Sequence, residues 1–248
     1  MEYKIYSEND EYTFDKIGDL INFIKLNPEK NYYKVIENEK IEININIVIN
    51  TEFICHRVNK IEELEKIDRQ FGVEIDIRDE HTTNKLILAH DPFVSGDSFE
   101  EYLEKYSNET LILNIKSERV ELLCLDLLKK YKIKKYFFLD SSFPMIYLLN
   151  TKYQINKIAS RYSEFEIIEL TENIINFIEW IWVDCFTRLP LDQNIMKKIN
   201  LINKKVCIVS PELQGQKDKI QIYREQLIKN NIIPDAICCK EYNIYEWI

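Results

Sequence analysis

The residue types best suited to catalysis follow three consecutive apolar runs in the first half of the chain. His56-Arg57 follows residues 52–55, Glu74 and Asp76 lie within residues 72–77, and His90-Asp91 follows residues 86–89. A spacing of two places the carboxylates of Glu74 and Asp76 on one face of a strand. Paired carboxylates chelate a hard divalent cation, and a neutral imidazole beside them transfers protons near pH 7. This set predicts metal-assisted hydrolysis of a phosphodiester, with a salt-bridge network as the alternative account of the two carboxylates.

The elements that must position these residues recur along the chain with the spacing of β-α units. Short β-branched runs alternate with amphipathic segments, a rhythm typical of a parallel sheet covered by helices. The eight main strand candidates cover 52–55, 72–77, 110–115, 136–139, 157–161, 180–185, 205–209 and 235–239, and 86–89 makes an extra one. Helical spacing is found in 59–70, 98–106, 119–131, 143–151, 192–200 and 217–230.

Eight alternations predict an α/β fold, specifically a closed (β/α)8 barrel of the TIM type. An open sheet is the alternative, because the rhythm does not show closure. Residues 1–50 break the rhythm and predict a short N-terminal α+β extension that packs on a barrel domain of residues 51–248. In the extension we expect a strand at 3–6, a helix over 14–26, and a hairpin of 32–37 and 40–49 that turns at Asn38-Glu39.

Charge and composition exclude several classes of protein. A formal charge of −9 over 248 residues opposes bulk attraction to nucleic acid or an anionic membrane. The four glycines form neither a GxGxxG nor a Walker loop, and the six cysteines show no zinc spacing, which favours buried reduced thiols. No run reaches the ~18 uncharged apolar residues of a membrane span, and the acidic start has no signal-peptide core, so we expect a cytoplasmic protein.

Further polar residues follow the later strand candidates and are expected at the same rim of the barrel. They are Asn114 and Lys116 after the third strand, Arg161 after the fifth, Asp184 after the sixth and Glu212 after the seventh. An amide oxygen such as that of Asn114 ligates Mg²⁺ or Ca²⁺ more weakly than a carboxylate, because it adds no charge. His81, in a polar turn, is expected to be an exposed loop residue, and core packing is the simpler account of Trp180 and Trp182.

The order of these motifs resembles that of the glycerophosphodiester phosphodiesterases and the wider phospholipase-C-like phosphodiesterase barrels. The family pattern is His-Arg-Gly, then Glu-x-Asp, His-Asp and Glu-x-Lys at successive strand ends. Here the corresponding segments read HRVN, GVEIDIR, LILAHDP and LILNIKSE, and the match covers about residues 52–118. Two positions depart from the pattern, since Val58 stands in place of the glycine and Asn114 in place of the third acidic ligand.

The resemblance implies a metal-dependent hydrolysis of a phosphodiester. It implies Mg²⁺ or Ca²⁺ on Glu74, Asp76 and Asn114, and general acid and base roles shared by His56 and His90. Arg57 and Lys116 would stabilise the phosphate charge, and the remaining rim residues, Arg161, Asp184 and Glu212, would contact the substrate. The expected partner is a small phosphodiester of a glycerol, phospho-sugar or headgroup type, with the oligomeric state left open.

A second class fits the two departures from the family pattern. Asn114 and Val58 favour a catalytically impaired protein that binds a phosphate ester or a headgroup in the same pocket. The retention of His56 and His90 opposes this alternative, because binding alone requires neither an acid nor a base.

Overall fold

The computed structural model describes residues 2–8, 10–36, 38–80, 83 and 85–248. His81, expected to be an exposed turn residue, lies outside the described residues. Residues 51–248 form a curled parallel sheet surrounded by helices, which confirms the α/β class. Within the described part of the chain, every helix is too short or too polar to traverse a membrane.

Eight strands form the curled sheet, and all of them run parallel. They are β5 (Glu52–Cys55), β6 (Gly72–Asp79), β9 (Leu111–Ile115), β10 (Tyr136–Leu139), β11 (Ala159–Tyr162), β12 (Trp180–Val183), β13 (Lys205–Val209) and β14 (Ala236–Cys239). Their order across the sheet is β10-β9-β6-β5-β14-β13-β12-β11. The two outer strands approach each other at an isolated parallel bridge between Phe138 and Ile158, where the Phe138 N–H donates to the Lys157 carbonyl at 2.9 Å.

The extra strand candidate becomes an antiparallel addition to this sheet. β7 (Leu86–Leu88) folds back on β6, with Ile77 opposite Leu88, and a two-residue β8 (Asp97–Ser98) pairs with β7. The chain therefore runs back from the carboxyl end of β6 toward Asp76 before it reaches His90. That return places His90 near Asp76, whose carbonyl accepts a hydrogen bond from the Ala89 N–H at 3.0 Å.

Helices connect successive parallel strands and cover the outside of the sheet. Their bounds are α3 (Ile61–Leu64), α4 (Phe99–Lys105), α5 (Glu121–Lys130), α6 (Phe143–Tyr153), α7 (Ile168–Asn173), α8 (Gln193–Leu201), α9 (Ile220–Lys229) and α10 (Ile244–Trp247), with short 3₁₀ turns at Ile175–Phe177, Pro211–Gln214, Lys217–Lys219 and Glu241–Asn243. The helix predicted over 59–70 is wrong in length, because it ends after one turn. Farther along, the Asp68 carboxylate accepts the Gln70 N–H at 3.1 Å, a turn interaction that competes with helix in the second half of the predicted range.

The N-terminal segment forms a separate antiparallel sheet in the order β2-β1-β3-β4, with two helices. Its elements are β1 (Tyr3–Ser7), β2 (Asp10–Phe14), α1 (Ile17–Leu26), β3 (Tyr33–Ile36), β4 (Glu39–Glu42) and α2 (Ile45–Asn50). The helix predicted from residue 14 begins three residues later, because the alternating run of β2 pairs with β1 instead. The apolar residues of the N-terminal segment, among them Ile5, Leu20 and Ile47, join the core that lies between the curled sheet and its helices.

The strand predicted over 40–49 is wrong in its second half. The chain leaves β4 after Glu42 and turns into α2, which Asn44 caps by accepting the Ile47 N–H on its side chain at 3.1 Å. The β-branched residues of this run favour a strand locally. The cap, together with the complete burial of Ile47 and Val48, favours the helix.

A second apolar cluster fills the inside of the curled sheet. It is built from alternate residues of the strands, such as Ile54, Phe137, Trp182 and Cys238, while the residues between them pack outward against helices. Seven of the eight parallel strands contribute to this inner cluster, all except β6. On β6 the inward positions are occupied by Glu74 and Asp76.

Candidate active site

The strand register places the two carboxylate residues of β6 beside residues of β9. Glu74 pairs with Ile112 and Asp76 with Asn114, so the inward face of β6 continues onto Asn114. Both carboxylates are fully buried. Charged groups in such a position require compensation from neighbouring donors, cations or bound metal.

Glu74 obtains two hydrogen bonds. Its Oε1 accepts from Asn114 Nδ2 at 2.8 Å, and its Oε2 accepts from the Arg57 backbone N–H at 2.8 Å. Burial, followed by the neighbouring charge of Asp76, raises the pKa of Glu74 to about 7. Glu74 is therefore poised between its neutral and ionised forms at physiological pH, a property often found at functional sites.

Asp76 is held differently. Asn59 makes two hydrogen bonds to it. Asn59 Nδ2 donates to Asp76 Oδ2 at 2.8 Å, and Asn59 Oδ1 accepts the Asp76 N–H at 2.8 Å. Arg57 Nε lies 3.3 Å from Oδ2, and Lys116 Nζ lies 3.8 Å from Oδ1. That last separation is too long for a hydrogen bond, so Oδ1 is a buried acceptor without a partner.

His56 stands beside Glu74 at the end of β5. Its Nε2 lies 3.8 Å from Glu74 Oε2, and its Nδ1 is buried without a hydrogen-bond partner. Burial, reinforced by the charges of Lys240 and Arg57, lowers the pKa of His56 to about 3. The imidazole is therefore neutral at pH 7, and an anionic phosphate bound beside it would raise its pKa toward the range in which a general base works.

His90 lies on the β7 side of the same rim and is more exposed than His56. It follows Ala89, whose N–H donates to the Asp76 carbonyl at 3.0 Å. Asp91 Oδ1 lies 2.8 Å from His90 Nδ1, and Arg78 donates to the His90 carbonyl from Nε at 3.1 Å and Nη2 at 2.9 Å. With Nδ1 engaged by Asp91, Nε2 is the ring atom left to exchange a proton.

A network of ion pairs continues the rim across β9 to β12. Lys116 Nζ lies 3.2 Å from Asp140 Oδ2, and Arg161 donates to both oxygens of Asp140 at 2.7 and 2.9 Å. Burial would raise the pKa of Asp140, but Arg161 and Lys116 outweigh it and hold that pKa below its ordinary value. Arg161 also pairs with Asp184, whose pKa burial raises to about 6 in spite of the guanidinium.

Glu212 lies in a supporting network behind His56. Its Oε1 accepts the Lys240 N–H at 3.0 Å, and its Oε2 accepts from Ser210. Lys240 Nζ in turn donates to the His56 carbonyl at 2.7 Å. Trp247, buried in α10, donates from Nε1 to Ser210 Oγ at 2.7 Å, so the network extends to the last residues of the chain.

The structure thus gathers Arg57, Lys116 and both carboxylates around His56, with His90 at their margin. Arg161 and Asp184 lie farther along the same rim, while both oxygens of Glu212 are already engaged by protein donors. Trp182 packs in the inner cluster and donates to Asp184 Oδ1 at 3.3 Å, and Trp180 stacks on Phe137 with ring centroids 4.7 Å apart. Core packing therefore accounts for both tryptophans.

Sequence reasoning missed three residues of the site, Asn59, Asp140 and Lys240. Asp140 and Lys240 directly follow β10 and β14, so the rule that selected Arg161 and Asp184 after their strands would also have found them. Asn59 has no such signal, because it follows β5 by several residues and reaches Asp76 only through the fold.

The donor set fits a hard cation. Asp76 Oδ1 and Asn114 Oδ1 are both buried acceptors without partners, on paired positions of neighbouring strands. Unpartnered buried oxygens are costly unless a cation or water meets them. No group of three or more His, Cys, Asp or Glu suited to a metal exists among the described residues, so such a site depends on the Asn114 amide.

Comparison with solved structures identifies the architecture. A glycerophosphoryl diester phosphodiesterase from Parabacteroides distasonis superposes with a TM-score of 0.58 at 12% identity, covering 100% of this chain and 94% of its own. An Oleispira antarctica phosphodiesterase, solved in complex with the product sn-glycerol-3-phosphate, gives a TM-score of 0.54 at 14% identity and covers 82% and 97%. The chain has the glycerophosphodiester phosphodiesterase fold. No protein-family model matches the sequence, and no curated protein matches it either.

Within the glycerophosphodiester phosphodiesterase fold, the Val58 departure has a simple backbone explanation. Val58 has a negative φ and is buried, while its N–H donates to the Glu74 carbonyl at 2.9 Å. Arg57 instead adopts the left-handed conformation, with a φ of 56°. A non-glycine residue in that region is strained, and such strain is concentrated at functional sites.

Proposed function

We propose that this protein hydrolyses a phosphodiester with the help of a divalent cation. The observation that carries the proposal is the pair of unpartnered buried oxygens, Asp76 Oδ1 and Asn114 Oδ1, beside Lys116 and close to a neutral imidazole, His56. Their location at the carboxyl ends of parallel strands, on a fold shared with phosphodiesterases, agrees with this reading.

The finer architecture belongs to the same proposal. The bridge between Phe138 and Ile158 joins the outer strands of the eight-stranded sheet, and alternate residues of the strands fill its interior. Both features support a closed (β/α)8 barrel of the TIM type. In such a barrel the candidate residues surround one opening rather than one edge of an open sheet.

Mg²⁺ or Ca²⁺ would be held by Glu74, Asp76 and Asn114. When bound, the ion supplies Lewis-acid polarisation of a phosphoryl oxygen. Arg57 and Lys116 would hold the remaining phosphate oxygens, because their side chains already lie against Asp76 on the open side of the carboxylate pair.

His56 and His90 would divide the proton transfers. His56 is neutral, buried and close to the carboxylates, which suits the removal of a proton from an attacking hydroxyl or water. His90 is oriented by Asp91 at Nδ1 and presents Nε2, which suits donation of a proton to the leaving alcohol. The Lys240 contact to the His56 carbonyl would keep the first imidazole in place.

The substrate class follows from the fold relatives and from the charge of the site. One relative was solved with sn-glycerol-3-phosphate as its product, which supports a glycerophosphodiester or a related phospho-sugar or headgroup diester here. The net charge of −9 disfavours a nucleic acid.

A binding protein without turnover is the second candidate. It is favoured by Asn114, whose amide replaces the third acidic ligand of the family pattern and would bind a cation more weakly than a carboxylate. Such a protein would bind glycerol 3-phosphate and release no product from a diester.

Product analysis on a panel of diesters separates the two candidates. The panel contains glycerophosphocholine, glycerophosphoglycerol and bis-nitrophenyl phosphate, each incubated with Mg²⁺, with Ca²⁺ and with a chelator. We expect cation-dependent release of a phosphomonoester from at least one glycerol diester, abolished in Asp76→Asn. Saturable binding of glycerol 3-phosphate with no release under any condition would support the binding protein instead.

A further inference from the structure

A cavity of about 620 Å³ opens at the amino ends of the parallel strands, the end opposite to the candidate active site. Helices α1 and α2 form one wall, through residues such as Lys25 and Asn50. The other wall is formed by the starts of the strands, including Glu52, Tyr136 and Lys205. A cavity of this size is large enough for a small molecule.

The carboxylates that line this cavity are all engaged by protein donors. Two of them bind backbone or hydroxyl groups, and two form ion pairs with lysines. The pairs are Glu52 with Thr110, Asp235 with Val206, Glu109 with Lys135, and Glu179 with Lys205. The wall therefore has little acceptor capacity left for a cation.

Three lysines that line the cavity have no carboxylate partner among the described residues: Lys25, Lys134 and Lys157. The Lys157 side chain is held in place by two contacts. Its Nζ donates to the Lys134 carbonyl and lies 4.6 Å from the centroid of the Tyr136 ring. Lys25 and Lys134 are exposed, on opposite walls. Lysines without a carboxylate partner therefore lie on both sides of the opening, although Glu52 and Asp235, bonded to neutral donors, keep their negative charges in the lining.

Two other polar groups of the lining have no hydrogen-bond partner among the described residues. Gln70 lines the cavity, and both its Nε2 and its Oε1 are buried without a hydrogen-bond partner in the described structure. The Tyr136 hydroxyl likewise makes no hydrogen bond within the described residues. Both groups can donate or accept, and the Gln70 atoms are closed to solvent, so the surplus of donors that suits an acceptor-rich ligand comes from the three lysines.

We propose that this cavity binds a small polyanion, a solute that carries two or more phosphate or carboxylate groups. Two groups are required because the free lysines come from opposite walls, and because the cavity is larger than a single phosphate needs. An ammonium group is a common partner of phosphate oxygens. Since Lys25 belongs to the N-terminal segment, and Lys134 and Lys157 to the loops before β10 and β11, the ligand would bind these two parts of the chain together.

Calorimetric titration with pyrophosphate tests the proposal directly. The full chain is titrated at 150 mM NaCl in the presence of a chelator, with inorganic phosphate as the single-group comparison. We expect saturable pyrophosphate binding that is about tenfold or more tighter than phosphate binding. Pyrophosphate heats that vanish at this ionic strength, or equal affinities for the two anions, would overturn the proposal.

Three paired variants locate the site. Lys134→Ala with Lys157→Ala should weaken pyrophosphate binding about tenfold or more, whereas the control pair Lys129→Ala with Lys229→Ala removes the same charge elsewhere and should leave it within twofold. The pair Arg57→Ala with Lys116→Ala reports binding at the candidate active site. Loss of affinity in that last pair alone would overturn the assignment to the amino-end cavity.

A substitution at one exposed residue tests the proposal if the variant Lys134→Ala with Lys157→Ala does not fold. Lys25→Ala changes an exposed residue of α1 and should still weaken pyrophosphate binding several-fold. Wild-type affinity in Lys25→Ala would remove the opposite wall from the site and, with it, the proposal for a two-group ligand.

Discussion

The two ends of the curled sheet are both rich in charged residues, yet they leave opposite kinds of atom without a partner. At the carboxyl end the unpartnered atoms are acceptors, Asp76 Oδ1 and Asn114 Oδ1, in a buried setting. At the amino end the carboxylates that line the cavity are engaged, as Glu52 is by Thr110, and three lysines of the lining have no carboxylate partner among the described residues.

This difference shows that burial and charge alone do not distinguish a structural ion pair from a binding site. Glu52 and Asp76 are both carboxylate residues in strands of the curled sheet. Glu52, however, accepts a backbone N–H on one oxygen and a hydroxyl on the other. Asp76 has one oxygen held by Asn59 and one left unmatched. The proposed cation site therefore rests on the unpartnered oxygen of Asp76 rather than on the residue type.

The largest effect is expected from the imidazoles at the carboxyl end. His56→Ala and His90→Ala should each lower kcat by ~100 to 10,000-fold, because each removes a proton-transfer group. The double variant should be little slower than the worse single variant, since both groups serve one transition state. Initial rates of diester hydrolysis measure this, and circular dichroism melts verify that His56→Ala still folds.

The leaving group separates the two imidazole roles. A substrate with a nitrophenolate leaving group needs no acid, so it should partly rescue His90→Ala and leave His56→Ala slow. Equal rescue of both variants would refute the division of roles, and normal turnover in either one would remove that histidine from the mechanism.

The next effect concerns the amide that stands in place of a carboxylate. Asn114→Asp should tighten Mg²⁺ or Ca²⁺ binding by about tenfold or more, because a third negative ligand is added to the set. Calorimetry of the metal-free protein measures it, with the exposed Asn194→Asp as the control for added charge. Unchanged affinity in both Asn114→Asp and Asn114→Ala would place the cation elsewhere.

A variant at the amino end should affect stability rather than turnover. In Glu52→Gln the side chain keeps one acceptor oxygen for the two Thr110 donors, so one of these donors loses its acceptor. The free energy of unfolding should fall by about 1–2 kcal/mol. Urea unfolding measures that loss, and kcat should stay within twofold of wild type. A kcat that falls with unfolding unchanged would show that the two ends are coupled.

The last prediction concerns a buried lysine that lies away from both ends of the curled sheet. Lys34 is fully buried and donates to the carbonyls of Tyr245 and Glu246, so its donors are already matched. Burial, reinforced by the charge of Arg224, lowers the pKa of Lys34 well below 10.5. Between that lowered pKa and 10.5 the unfolded chain binds more protons, so the free energy of unfolding should rise with pH across this interval.

Urea unfolding from pH 7 to pH 10 measures that slope. Lys34→Met keeps the volume and should flatten the slope, while the exposed Lys229→Met should leave it unchanged. An identical slope in wild type and Lys34→Met would assign the pH dependence to another group.

Much of the candidate site was predictable because strand ends carry their own signal. Glu74 and Asp76 interrupt an apolar run at a spacing of two, and the parallel register then places Asp76 beside Asn114. Tertiary context defeated the same reasoning in residues 40–49, where a β-branched run becomes α2 once Asn44 caps it and Ile47 is buried. Local propensity is weak compared with a cap and a buried face.

By itself, the sequence determined the alternation of strands and helices, the inward position of the two β6 carboxylates and the approach of His56 to them, because these follow from periodicities of two and of 3.6 residues. The tertiary structure alone decided which partners those groups obtain. Asn59 donates to Asp76, Lys240 donates to the His56 carbonyl, and the antiparallel pairing of β7 with β6 brings His90 to the rim. No periodicity of the sequence relates these residues to one another. Hydrogen bonds and burial depend on positions in space, and for these residues only the folded chain supplies those positions.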